Sequence, residues 1–333
     1  MMDLNSSLIT TVCQLYNLGE VLSQPTHCLG GLLHQNYLLK TSKGQFVIKC
    51  LNSIICSNNN DKEMFRSTEH IAEQLSSSIC AVKAIKLKND ILTTIADQTI
   101  MVFPYIEAAI IPQDKVTTRH VTTIATALAK IHNAAIIQSG LSLSMQLDLD
   151  LLINCQDKIK RKCPEITEEL AVFLPSLNFI LEQCRKSESL LAKNLAVSHR
   201  DLDPKNVLWD AQDNYYIIDW EYAGLINKTK DVISTAIYWS LKPDFKIDLN
   251  SLVSFIKQYE INSTTPLNRQ EIEAAFYGLL ADWLLWVELN FRRIVNDTLS
   301  TDERNLGIKE ATRSLRAIPI VLGQFTEIVA MIQ

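Results

Sequence analysis

The chain has 333 residues, 47% of them hydrophobic, with 37 Asp and Glu against 32 Lys and Arg. That length suits two domains or one large bilobal one with a sizeable core, and the mild acidity excludes the basic footprint of a nucleic-acid binder. No apolar run reaches the roughly 18 residues of a membrane span; residues 1–7 have neither the basic nor the apolar region of a signal peptide; and the eight cysteines are scattered without a C-x-x-C pair, as expected of reduced thiols in a cytoplasmic protein without zinc.

Residues 1–24 read as a helix, with Leu8, Val12, Leu15 and Leu18 at helical spacing. Gly30-Gly31 follows, a pair that lets backbone approach a phosphate but also suits a plain hairpin turn. Residues 36–41 and 45–51 read as a hairpin around Ser42-Lys43-Gly44. Lys49 is the one charge in its second, apolar strand, and such a lysine is costly to bury unpaired. A helix starting at Asp61 presents Met64, Phe65, Thr68, Ile71, Ala72 and Leu75 on one face. Glu69 borders that face and is the expected partner of Lys49, with Glu73 as its rival. Three strands are expected over 84–87, 91–95 and 99–103, with Asn89-Asp90 and Asp97-Gln98 as turns. Phe103-Pro104-Tyr105-Ile106-Glu107 closes this run. From residue 117 the pattern turns helical: Val121, Ile124, Leu128 and Ile131 form one stripe, and 140–195 reads as further helices broken at Pro164 and Pro175.

The stretch His199–Tyr222 carries the chemistry. His199-x-Asp201-x-x-x-x-Asn206 has the spacing of a phosphoryl-transfer loop, in which the Asp takes the proton of an acceptor hydroxyl and the Asn holds Mg²⁺. Asp219 closes the apolar run Tyr215-Tyr216-Ile217-Ile218, where a main Mg²⁺ ligand would sit. Residues 207–209 and 216–218 read as paired strands, with Trp209 opposite Tyr216, Val207 opposite Ile218 and hence Asn206 opposite Asp219. Further on, Asp282-Trp283-Leu284-Leu285-Trp286 places two indoles on one helix face beside a carboxylate, an arrangement suited to an ammonium group and also to a plain core helix.

The wording H-R-D-L-D-P-K-N-V-L-W followed by I-I-D-W-E-Y-A-G resembles the aminoglycoside phosphotransferase and choline kinase family. The resemblance implies a bilobal α+β protein-kinase-like fold: a small antiparallel-sheet N-terminal lobe over 1–106 that binds the nucleotide, and a larger, mainly helical lobe over 107–333 with the catalytic loop and acceptor site. It implies ATP and Mg²⁺. Lys49, positioned by Glu69, would hold the α and β phosphates; Gly30 and Gly31 would approach them; and backbone groups of Tyr105 and Ile106 would meet the adenine, since Pro104 has no N–H. Asn206 and Asp219 would hold the metal, and Asp201 would deprotonate the acceptor. Glu221, Asp282, Trp283 and Trp286 are the expected contacts of a small, cationic, hydroxyl-bearing acceptor of the aminoglycoside type. Choline, ethanolamine or sugar kinases are the alternatives, ahead of a protein kinase or a non-catalytic nucleotide-binding module. Asp219-Trp220-Glu221 stands in place of D-F-G and no A-P-E segment follows, so the platform for a peptide substrate is missing. The lysine common two residues after the catalytic Asp is replaced by Asp203.

Overall fold

The computed structural model describes residues 6–28, 33–53, 55–134, 136, 152 and 156–332. Their contacts divide the chain into two compact units. The first is built chiefly from Met1–Ile110 and Lys205–Gly224; the second chiefly from Ile111–Ala135, the stretch ending at Pro204, and Leu225–Gln333. The boundary thus lies at 110 rather than 106, and residues 205–224 join the N-terminal unit. Hydrogen bonding explains both differences. Val207–Trp209 pairs antiparallel with Ala109–Ile110 and with Tyr215–Ile217. Ile217 then donates its N–H to Cys80 and accepts that of Val82.

The first unit holds a five-stranded antiparallel sheet: β1 (Thr26–Cys28), β2 (Gln35–Thr41), β3 (Gly44–Cys50), β4 (Thr93–Ile95) and β5 (Gln98–Pro104), in the order β1-β2-β3-β5-β4. The β2–β3 hairpin closes on Ser42-Lys43, with Thr41 opposite Gly44 and Gly44 at φ +139°. Residues 84–87, expected as a strand, instead run as an extended segment tied to the sheet by one bond, from the Ile85 N–H to the Val102 carbonyl at 2.7 Å. Helix α1 (Ser6–Leu15) covers one face, with Ile9, Val12 and Cys13 clustered with Leu39, Ile48 and Val102. It ends well before residue 24 because Asn17 (φ 55°) and Gly19 (φ 92°) turn left-handed, which leaves Leu15 exposed.

Helix α2 (Asn59–Leu75) covers the other face, with Met64 and Phe65 beside Leu51 and Met101. Its start is fixed by a capping box in which Asn58 and Asp61 bond each other's backbone N–H. Strand side chains alternate between faces. Since Ile48 and Cys50 point to the α1 side, Lys49 points to the α2 side.

The second unit is mainly helical, from Thr118–Asn133 to Phe325–Ile332. The stripe Val121, Ile124, Leu128 and Ile131 is fully buried. Pro164 opens a 3-10 turn as a break should, but Pro175 lies inside the continuous helix Thr167–Leu191. The apolar residues on both sides of it, Leu170, Phe173, Leu177 and Ile180, are buried and hold the helix to its core. At the centre, His132 Nε2 lies 2.9 Å from Asp231 Oδ2 and its Nδ1 lies 2.8 Å from the Tyr259 hydroxyl. His132 and Asp231 are thus each other's structural partners, and Asp231 lies in the first turn of the helix Lys228–Ser240, whose Trp239 bonds the Leu202 carbonyl. Among the described residues no single helix is long and apolar enough to cross a membrane. Thr301–Gly323 and Phe325–Ile332 reach that composition only as a pair bent by 59°, and their Leu315, Ile318, Val321 and Ile328 are buried in the bundle.

Candidate active site

The hairpin 207–217 pairs Val207 with Ile217, Leu208 with Tyr216 and Trp209 with Tyr215. The register is one residue off the expected one, because the turn is a five-residue loop closed by an Asp210 N–H to Asn214 carbonyl bond at 3.0 Å. Asp210 also accepts the N–H groups of Gln212 and Asn214 through its carboxylate. Asn206 therefore faces Ile218, whose N–H donates to the Asn206 carbonyl at 3.0 Å, and Asp219 falls one residue beyond the pair. Asp219 sits at φ 64°, ψ 60°, a left-handed conformation that Asp tolerates better than most residues. That turn leads into the 3-10 segment Trp220–Tyr222. Trp220 is buried and donates its indole N–H to the Ile217 carbonyl at 3.2 Å, while Asp219 and Glu221 turn together toward β3.

Lys49 lies between them. Its ammonium is 2.6 Å from Asp219 Oδ1 and 2.6 Å from Glu221 Oε2. Its side chain is 10% exposed, that of Glu221 7% and that of Asp219 39%. Burial works against the ammonium, yet Asp219 and Glu221 together push Lys49 above the usual lysine value. Burial likewise works against the charge on Glu221, and Lys49 and then His34 hold that carboxylate below the usual range. His34 Nε2 is 3.2 Å from Glu221 Oε2. The Asn52 backbone N–H donates to His34 Nδ1 at 3.0 Å, so the neutral ring carries its proton on Nε2, close to the carboxylate but not aligned for a hydrogen bond to it. Neither His34 nor the Lys49–Glu221 pairing is foreshadowed by sequence pattern. Glu221 was expected to face an acceptor and is instead buried beneath Lys49.

Glu69 is not bonded to Lys49. It is buried on α2 and accepts the Ala84 N–H at 3.0 Å. Glu73, the rival, pairs with Lys86 at 2.7 Å. The reason is where the side chains end: Asp219 and Glu221 both bring an oxygen to 2.6 Å from the Lys49 ammonium, while the Glu69 carboxylate turns to the Ala84 N–H. Burial pushes the Glu69 carboxyl from 4.5 up to about 7, against the pull of the Ala84 N–H and Lys49. A carboxyl raised in the folded state keeps its proton while the unfolded chain loses it. Its contribution is therefore complete below pH 4.5 and is lost as pH rises through about 7. Glu69→Gln is expected to remove that slope. Urea titrations at pH 5 and pH 8 should show the variant gaining on the wild type by about 2–3 kcal/mol across that interval; an unchanged difference would place an ionised carboxylate at Glu69 throughout.

Gly30 and Gly31 lie outside the described residues. At the end of β5, the Tyr105 N–H donates to the Gln45 carbonyl at 3.1 Å and the Ile106 carbonyl accepts the Ala108 N–H at 2.8 Å. Tyr105 therefore has no N–H to offer a ligand, while the Ile106 N–H makes no hydrogen bond among the described residues.

In the second unit, the Asp201 N–H donates to the Nδ1 of the fully buried His199 at 3.3 Å. The Leu202 carbonyl accepts the Trp239 indole N–H at 2.9 Å. The loop backbone is thus pinned on both sides of Asp201, and Arg200 takes a left-handed φ of 68°. Asp282 is paired with Lys230 at 2.8 Å. Trp283 stacks on Tyr238 with centroids 6.3 Å apart and donates its N–H to the Tyr238 hydroxyl at 3.2 Å. Trp286 lies under the Arg293 guanidinium at 5.6 Å. Three of the four residues expected to meet an acceptor share a helix, Ile272–Val295, but Asp282 and Trp286 are engaged by the chain's own cations.

Residues 26–259 match the model of the phosphotransferase enzyme family. Among curated proteins none matches the chain. Solved structures match over nearly all of it. A spectinomycin phosphotransferase in complex with ADP and spectinomycin aligns with a TM-score of 0.69 at 13% identity, covering 96% of this chain and 98% of that one. The choline kinase of Streptococcus pneumoniae aligns at 0.59 and 20%, covering 94% and 99%. A microcompartment-associated aminopropanol kinase aligns at 0.62 and 14%, covering 97% and 99%. The α+β fold is therefore the kinase-like one, and with the family model matched over most of its length the chain belongs to the phosphotransferase enzyme family.

Proposed function

We propose that the protein is an ATP-dependent kinase of a small hydroxyl-bearing molecule. The observation that carries this reading is the meeting of Lys49 with Asp219, 170 positions apart in sequence, next to the hairpin that begins at Asn206. A phosphate-binding cation and a metal-binding carboxylate are the two charges that a nucleoside triphosphate needs from this side. The donor set fits Mg²⁺, which takes hard oxygen ligands and keeps several waters. Asp219 uses Oδ1 for Lys49, while its Oδ2 has no partner among the described residues, and the side chain is 39% exposed. Asn206 and Asp219 would hold the ion, which when bound neutralises charge on the phosphates.

Lys49 binds the α and β phosphates, and the Ile106 N–H is the donor available to the base. Asp201 accepts the acceptor hydroxyl proton as the acceptor oxygen bonds to the γ phosphorus and the bond from that phosphorus to the β-γ bridging oxygen breaks, leaving ADP. Positioning supplies most of the rate, since the transition state of phosphoryl transfer is loose. ATP consumption by the full chain, screened over small alcohols, amino alcohols, aminoglycosides and sugars with Mg²⁺, tests the reading. Activity confined to protein substrates, or none with any nucleotide, would overturn it.

The acceptor is proposed to be a cation. The Trp283–Tyr238 stack supports this, as do the names of two structural neighbours, whose substrates choline and aminopropanol are amino alcohols. With Asp282 and Trp286 already engaged, Trp283 is the aromatic face to test. Trp283→Leu should raise the KM for a cationic acceptor by roughly 3–30-fold, the worth of one cation–π contact, and leave the KM for ATP alone. A preference for neutral sugars, or equal KM changes for charged and neutral acceptors, would sink the cation.

A further inference from the structure

The bonds made by Lys49 divide its two partners by what they are able to do. Asp219 is 39% exposed and holds Lys49 with one oxygen only. It can turn its carboxylate to a metal and release the ammonium. Glu221 cannot do the same: its side chain is 7% exposed, and the oxygen that meets Lys49 is also the one facing His34 Nε2 at 3.2 Å. His34 is itself fixed, with the Asn52 N–H on Nδ1 at 3.0 Å and its ring set edge-on to Phe65 at 5.7 Å between centroids. The helix carboxylate Glu69 is committed to the Ala84 N–H. We infer that Glu221, buried beside His34, is the residue that holds Lys49 in place for the nucleotide, and that Asp219 is the partner which Lys49 exchanges for phosphate.

The inference rests on the nucleotide reading of Lys49 and assigns a positioning role, with no contact between Glu221 and the substrate. It follows from the site's construction. A buried lysine released by Asp219 keeps a fixed counter-charge, so its ammonium stays at the end of β3 instead of following the metal ligand outward. His34, just ahead of β2, and Asn52, just after β3, tie that counter-charge to the sheet carrying the lysine.

The test is a double-mutant cycle on the full chain, with affinity for Mg²⁺–ATP and, as a control, for adenosine, measured by calorimetry. Lys49→Met should weaken Mg²⁺–ATP binding. Glu221→Gln, which keeps shape and removes charge, should weaken it by about tenfold, within the range of coupling between groups in contact. Adenosine affinity should not change, because adenosine has no phosphate to engage. In the Lys49→Met background the same Glu221→Gln change should cause no further loss. Should Glu221→Gln fail to fold, His34→Asn serves instead: it leaves both charges in place, frees the Glu221 carboxylate, and should weaken Mg²⁺–ATP by roughly threefold with adenosine again unmoved. Unaltered Mg²⁺–ATP affinity in Lys49→Met would remove Lys49 from the nucleotide site, and with it the reading on which the inference stands. If Lys49→Met weakens binding but Glu69→Gln, not Glu221→Gln, is the change coupled to it, the nucleotide site stands and Glu221 is not its positioning residue. Equal losses in both backgrounds, or a parallel loss of adenosine, would mean that Glu221 does not act through Lys49.

Discussion

Asp201→Asn is expected to lower turnover by about 10²–10⁴-fold, the usual worth of a positioned proton acceptor, while the fold and the affinity for nucleotide are kept. The loop backbone is held on both sides of the Asp201 side chain: the Asp201 N–H goes to His199, and the Leu202 carbonyl takes the Trp239 indole. An amide of the same shape leaves both bonds in place and removes the proton acceptor. The position two residues on, where a lysine is common, holds Asp203. Single-turnover measurements with Mg²⁺–ATP and a saturating acceptor, beside nucleotide affinity by calorimetry, separate the chemical step from binding. Turnover within about threefold of the wild type would take Asp201 out of the mechanism. A loss carried by KM for ATP would assign it to binding.

The elements whose pattern is local were legible in the sequence. The α2 face from Met64 to Leu75 and the stripe from Val121 to Ile131 are buried as their spacing predicts, because the periodicity that marks a helix also states which side must leave water. The β2–β3 hairpin follows from its turn residues for the same reason. What depended on long-range pairing was not legible. Residues 205–224 belong with the first unit because Ile217 bonds Cys80 and Val82 and because Leu208 and Trp209 pair with Ile110 and Ala109. No local signal in Val207-Leu208-Trp209 distinguishes that sheet from another.

The candidate site divides in the same way. That Lys49 needs a partner was readable from one residue, because a charge in an apolar strand is costly to bury alone. Which partner it takes was not readable. The choice between Glu69 on α2 and Glu221 turns on the left-handed turn at Asp219 and on a hairpin register one residue different from the expected one. A single-residue shift in a strand sends a side chain to the other face, so small changes of turn length decide the ion pair. His34 gives no signal beyond being a polar residue ahead of a strand. Its role depends on Asn52, 18 positions later, reaching its Nδ1.

Asp219→Asn separates the carboxylate from the turn that carries it. Position 219 is left-handed at φ 64°, a conformation that costs most side chains about 1–2 kcal/mol but that Asn adopts as Asp does. Alanine there would add backbone strain to any functional loss, so Asn is the cleaner change. With the charge removed, Lys49 keeps Glu221, and the buried ammonium is not left alone; the protein should fold with a modest loss of stability. Removing one fixed charge aimed at the reacting phosphates should lower turnover by about 10²–10³-fold. The losses should be specific to the metal complex. Calorimetry should show Mg²⁺–ATP affinity falling toward that for ATP without metal, and the two affinities converging in the variant. The metal-free affinity should itself hold steady or rise, since Lys49 loses a competitor for the phosphates. A variant that still binds Mg²⁺–ATP more tightly than ATP, with turnover intact, would place the metal on other residues and leave Asp219 only as the exposed partner of a lysine.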